Sequence, residues 1–196
     1  MSPWWILAGV VGIVTIFIAR PFVVNSSNRA EEPALSDGMH FVQLVTGEAS
    51  ASCPAFHQWF ETAELEDILP GSRLIPAVER SELIAGTWGE ADGVRRVHLA
   101  DGTTALEKVL IDRGSDQFAY KVWPETGAGA KLVEYIRGEF LMAETEAGNC
   151  RIEWRYALRP RRGAGLHALL YSHFAVRPFL QNGLRQIIEV GQTRAL

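Results

Sequence analysis

The sequence predicts an α+β domain in which a seven-stranded antiparallel sheet is covered by two short helices and one long carboxyl-terminal helix, with a cavity between sheet and helix. Three observations carry this expectation. Between about residues 80 and 160 the side chains alternate with period two, interrupted by turn signals. From about residue 164 the apolar residues recur at helical spacing instead. Between residues 52 and 69 two shorter helical pieces separate a first strand from the other six. A coiled sheet stands away from a straight helix at its middle, and such gaps are favoured small-molecule sites.

FVQLVTGEAS, residues 41–50, has the β-branched content of a first strand. Ser52 then reads as a helix N-cap with Pro54 in the first turn and Phe56, Trp59 and Phe60 at helical spacing, and a second piece over about 62–69 stops at Pro70-Gly71. Asp92-Gly93 and Asp101-Gly102 are type I′ hairpin signals, giving strands over about 80–90, 94–100 and 103–111. RGSD at 113–116 leads into FAYKVW, and ETEAGN separates KLVEYIRGEFLMA from CRIEWRYAL. Between them TGAGAK, residues 126–131, lacks the phosphate-loop pattern and reads as a flexible hairpin loop at the cavity mouth. Leu166, Leu170, Phe174, Leu184, Ile187 and Ile188 form the stripe of the last helix, and Pro178 predicts a kink or break near 174–178.

Residues 1–24 stand apart. Trp4 to Ala19 carry no charge, and if Arg20 snorkels to the headgroups, Pro21 to Val24 extend the apolar run to spanning length. No Lys or Arg precedes the run while Arg20 and Arg29 follow it, which predicts a single-pass anchor with a cytoplasmic domain. A cleaved signal peptide with a weak Val-Asn-Ser site at 24–26 is the rival reading. Residues 25–38 then serve as a polar linker and 39–196 as the domain.

The formal charge of −4 and pI near 5.8 exclude a general nucleic-acid binder. Cys53 and Cys150 show neither metal-ligand spacing nor a disulfide framework and are expected to be small apolar side chains, compatible with a reducing compartment. No metal and no cofactor is signalled.

LEDILPGSRLIP at 65–76, RRVHLADGTTALEKV at 95–109, FAYKVW at 118–123, YIRGEF at 135–140 and RIEWRYALRP at 151–160, in this element order, resemble the helix-grip, START-like superfamily, specifically its SRPBCC proteins of the polyketide cyclase/dehydrase and lipid transport type. The resemblance covers about residues 40–190. It implies a cavity for a hydrophobic or amphipathic ligand, lipid or polyketide-like, in a domain here tethered to a membrane. It implies no reaction, because that superfamily joins carriers and cyclases without a common catalytic signature.

Alternation places Tyr120, Phe140, Trp154 and Tyr156 on the inner face, as plain core aromatics or as ligand contacts; in TTALEKVLI two sets compete for that face and the Glu107 set is assigned to it, with Phe174 on the helix above. Trp123 fits neither face. An inward Glu107 needs an Arg partner, a raised pKa or a ligand. In an enzyme, Glu107 or His98 would be the acid or base of a cyclisation or dehydration and Tyr120 would orient a carbonyl. A third possibility is an interaction module whose core is filled by side chains. His57, His167 and His173 lack ligand spacing with one another.

Overall fold

The computed structural model describes residues 32–38, 40–91 and 93–194. After β1 (Phe41–Ala49) come α1 (Cys53–Phe60) and α2 (Leu65–Ile68), then β2 (Val78–Ala85), β3 (Val94–Leu99), β4 (Thr104–Asp112) and β5 (Gln117–Pro124). A short α3 (Gly127–Leu132) precedes β6 (Val133–Glu144) and β7 (Cys150–Pro160), and α4 (Gly165–Tyr171), a π-helical turn (Ser172–Val176) and α5 (Arg177–Arg194) complete the order. The seven strands form one antiparallel sheet in the order β1-β7-β6-β5-β4-β3-β2. β1 and β2 are its two edges, so α1 and α2 carry the chain from one edge to the other. The predicted architecture of sheet, two short helices and long terminal helix is present.

Local chemistry sets the boundaries. Ser52 caps α1, its Oγ accepting from the Ala55 N–H at 3.4 Å, and Pro54 occupies the first turn without needing a donor. Asp101 Oδ1 accepts from the N–H and the hydroxyl of Thr103, and Gly102 takes a φ of +81°, so the β3–β4 turn forms where expected, but not as type I′: Asp101 does not take a positive φ, and Leu99 and Thr103 close a three-residue loop. The β2–β3 connection differs from a two-residue turn: β2 stops at Ala85 and the chain needs residues 86–93 to return. Asp92 lies outside the described residues. TGAGAK also differs, since residues 127–132 are helical. At the last helix the expected break is a π turn, in which the Arg177 N–H donates to the Ser172 carbonyl. Pro178 offers no N–H to Phe174, and widening the ladder by one residue accommodates that loss without ending the helix.

The main core lies between the inner face of the sheet and the helices, with Val109, Tyr120, Phe140, Ile152, Trp154 and Leu158 meeting Leu180, Leu184 and Ile187 of α5. A second cluster on the outer face joins Val94, Leu106, Trp123 and Tyr135. This accounts for Trp123, which simple alternation left without a place. Residues 32–38 border this face: Glu32 pairs with Lys121 and Lys108, the Pro33 carbonyl accepts from Lys121, and the Ser36 N–H donates to the Tyr135 hydroxyl at 3.0 Å. Residues 4–24 lie outside the described residues, among which no helix is long and apolar enough to cross a membrane.

One expectation is overturned. Cys53 and Cys150 are joined in a disulfide with a Cα–Cα distance of 4.7 Å, clipping the start of α1 to the start of β7 in the buried core. They are a cross-link and not two free thiols. At a sequence separation of 97, the bond removes a large loop from the unfolded chain, worth about 2–5 kcal/mol. The Cys53→Ala/Cys150→Ala variant is expected to lose stability of that order in urea, and reductant should bring the unmodified chain to the same midpoint. An unchanged midpoint in both cases would show that the bond contributes nothing.

Candidate ligand cleft

Tyr120 on β5, Phe140 on β6 and Trp154 and Tyr156 on β7 do converge on the inner face. Phe140 stacks on Trp154 with ring centroids 4.8 Å apart. The Trp154 indole N–H donates to the Tyr120 hydroxyl at 2.9 Å, which in turn donates to the Tyr156 hydroxyl at 3.3 Å. These rings are buried against one another. Gly138, directly opposite Tyr120 in the ladder, lets the tyrosine ring lie across the β6 backbone. Above them α5 comes down on Trp154 at Gly183, where an added Cβ would meet the indole at 2.9 Å. The middle of the sheet–helix gap is therefore occupied by side chains.

Burial pushes the Tyr120 hydroxyl well above the usual tyrosine range, with the neighbouring Tyr156 and Glu107 adding to the shift. Burial followed by Glu107 raises Tyr156 in the same direction. Both hydroxyls stay protonated and act as hydrogen-bonding struts.

Glu107 faces inward as expected, and its partner is an arginine: Arg95, opposite it on β3, donates from Nε to Oε2 at 2.6 Å. His98 does not reach the interior. It lies on the other face of β3 from Arg95, between Arg80 and Glu82 at 3.3 Å each, so a role in interior acid–base chemistry is excluded by its position. Phe174 is likewise not a cavity residue, being 60% exposed. The inward positions of that helical stretch are Ala168, Ser172 and Ala175, and Phe174 projects to the opposite side.

Open space lies at the margin of the core, between α1–α2 and the β2–β3 connection. Two adjoining clefts of about 220 and 210 Å³ share Glu61, Ala63, Trp88 and Arg95. The second runs inward past Phe60, Leu65 and Ile68 to Phe118, with His57 and Asp112 along one side. The Arg95 guanidinium stacks 3.4 Å above the Trp88 ring, and Trp88 meets Phe118 edge-on. Glu107 engages only Nε of Arg95, and the two terminal nitrogens, which border an apolar wall, have no hydrogen-bond partner among the described residues. Each cleft falls below the usual ~300–1,000 Å³ of ligand pockets and suits a small molecule or one part of a larger one.

His57 adds a polar corner, with Nδ1 3.8 Å from Glu61 and Nε2 3.8 Å from Asp112. The three offer ligand atoms within 4.8 Å of one another, a donor set of one imidazole and two carboxylates. Sequence reasoning missed this corner as well as Trp88, Arg95, Phe60 and Phe118. The i,i+4 spacing of His57 and Glu61 is visible in the chain, but only β4 brings Asp112 to them.

The geometry is that of known proteins. The chain is similar to the Zhui aromatase/cyclase of a Streptomyces species, with a TM-score of 0.63 at 16% identity over 81% of this chain and 97% of that one. Ginseng major latex-like protein 151 from Panax ginseng gives 0.59 at 16% identity, over 79% of this chain and 99% of its own. Ara h 8.0201 gives 0.58 at 14% identity, over 80% and 100% respectively. No protein-family profile and no curated protein matches the sequence. These likenesses show that the chain shares the helix-grip fold of those structures.

Tyr120→Phe removes the acceptor of the buried Trp154 N–H and is expected to cost about 1–3 kcal/mol in denaturant unfolding. Since the folded-state pKa values of Tyr120 and Tyr156 are raised, the stability tied to their protonated forms is fully present below about pH 10 and is lost as pH rises beyond it toward the folded values. The Tyr120→Phe/Tyr156→Phe protein should show a shallower decline above that pH, and an identical alkaline profile would remove these hydroxyls as the cause.

Proposed function

We propose that this domain binds a small amphipathic molecule in the marginal cleft, with an oxygen of the ligand on the Arg95 guanidinium and its apolar part against Phe60, Trp88 and Phe118. The observation that carries this reading is a partly buried arginine with unused donors, set beside an aromatic wall that opens to solvent. Small-molecule sites combine an apolar lining with a few placed polar groups in this way. A polyketide-like ligand, which the superfamily resemblance implies, accords with the likeness to an aromatase/cyclase. Acid–base catalysis by Glu107 and Tyr120 finds less support, because the carboxylate is held by Arg95 and the hydroxyl already accepts and donates within the core.

Residues 4–24 would tether the domain to a membrane. The arginine bias around that segment favours a cytoplasmic domain, whereas a core disulfide favours an oxidising compartment. We place the domain on the oxidising side, since two arginines are a weak topological signal and cytosolic reductants oppose a structural disulfide. In intact spheroplasts a carboxyl-terminal tag should then be digested by added protease. A protected tag overturns the assignment.

The cleft is tested by native mass spectrometry of the full chain after exposure to a lipid extract and to simple aromatic and fatty carboxylates. The Arg95→Gln/Glu107→Gln pair, which avoids leaving one buried charge alone, is expected to weaken retention of an acidic ligand by roughly 10- to 100-fold, the value of a charge-assisted hydrogen bond. Trp88→Ala should weaken it further, while Glu153→Ala should leave it unchanged. Equal retention by all these folded proteins would dismiss the cleft as the site.

A further inference from the structure

The first turns of the carboxyl-terminal helix are amphipathic in the wrong sense for a helix that serves only to cover the sheet. Its inward positions Ala168, Ser172 and Ala175 are small and fully buried, whereas the large apolar side chains Leu166, Leu169, Leu170 and Phe174 stand in solvent with exposures of 68, 44, 45 and 60%. Spaced i, i+3, i+4 and i+8, they lie on one stripe. A row of this kind on a small domain marks a contact surface.

The charge carried by this stretch of chain is also one-sided, although Asp101 of the β3–β4 turn lies near enough to Tyr171 to add to the rise that burial gives its pKa. No Asp or Glu occurs between Glu153 and Glu189, although the chain as a whole is acidic. Of the six arginines in that stretch, Arg155 and Arg159 are turned toward carboxylates of the sheet, Arg185 lies farther along α5, and Arg161 engages only its Nε, with the Ala130 carbonyl. Arg161 and Arg162, just before α4, and Arg177, four residues after His173, are exposed at either end of the apolar row. From Gly165 to Arg177 the helical rise is roughly 18 Å.

We infer that this face lies on an anionic lipid surface. Leu166, Leu169, Leu170 and Phe174 enter the boundary between headgroups and acyl chains, and Arg161, Arg162 and Arg177 meet the phosphates. Apolar side chains bordered by arginines are the signature of a helix that lies in a bilayer interface. A protein partner of the same shape would need its own dense carboxylate surface around an apolar groove, whereas an anionic bilayer supplies both at once. The inference does not rest on the ligand cleft, whose lining includes Arg95 and Asp112 and none of the residues of this face.

The test uses the full chain reconstituted in vesicles of phosphatidylcholine alone or with about one-third phosphatidylglycerol. A spin label is placed at Leu170→Cys or, separately, at Phe174→Cys, with Glu146→Cys in the β6–β7 turn as a solvent control. Because the native cysteines are disulfide-bonded, only the introduced thiol is labelled. In anionic vesicles both helix labels should gain oxygen accessibility and lose accessibility to a water-soluble nickel chelate, while the control does not change. Arg161→Gln/Arg162→Gln should lower the docked-to-undocked ratio by roughly 30-fold, the effect of two basic residues at a charged surface. Labels equally open to nickel in both lipids overturn the proposal. So do labels equally shielded in both, which would indicate cover by residues 4–24, and spin–spin coupling between copies, which would make the face a self-association surface.

Discussion

The contact of Gly183 with the Trp154 indole fixes how closely the terminal helix can approach the sheet. Glycine at that position allows α5 to rest on the ring face, and Gly191 does the same over Phe56 and Trp59. A helix held this low leaves no open channel beneath its middle. Trp154 is itself fixed by stacking on Phe140 and by its bond to Tyr120, so the polar tips of the core aromatics satisfy one another. A buried network of this kind is stabilising because every member has a partner, and it excludes a ligand from the same space. Empty volume appears instead where the helices and the sheet diverge, at the edge formed by α1, α2 and the β2–β3 connection.

The disulfide reinforces this arrangement from the side. It pins α1 to β7 at the same end of the molecule as the Gly191 contact, so the helix that carries His57, Phe60 and Glu61 is tied to the sheet at its first residue and packed by α5 along its length. The opposite wall of the cleft has no such tie. Residues 86–93 hold Trp88 in place chiefly through Arg95 and Phe118. One wall is cross-linked and the other rests on stacking, and movement that admits a larger ligand would be expected from the second.

Much of the fold was legible because its signals are local. The Ser52 cap, the Asp101-Gly102 turn and the inward set Ile152, Trp154, Tyr156 and Leu158 follow from side-chain chemistry and period alone. Errors arose where a residue's role depends on a distant one. Cys53 and Cys150 give no spacing cue across 97 residues. Asp112 reaches His57 only through the path of β4, and Trp88 sits in a connection where period carries no information. Phe174 was misread for a subtler reason. The apolar stripe is real, but before the π turn it is solvent-facing and after it the same spacing faces the core, so period was right and phase was not.

That change of phase makes one helix serve two surroundings. After the turn, Leu180, Leu184 and Ile187 bury against the sheet; before it, Leu166, Leu169, Leu170 and Phe174 point away from the same sheet. A regular α-helix keeps an inward stripe in register, and inserting the π turn rotates the first segment relative to the second. Pro178 favours that insertion, because the carbonyl four residues before it has no donor in a regular helix. The proline thus favours the turn after which Leu180, Leu184 and Ile187 face the core, while α4 before it presents its large side chains outward beside Arg161 and Arg162.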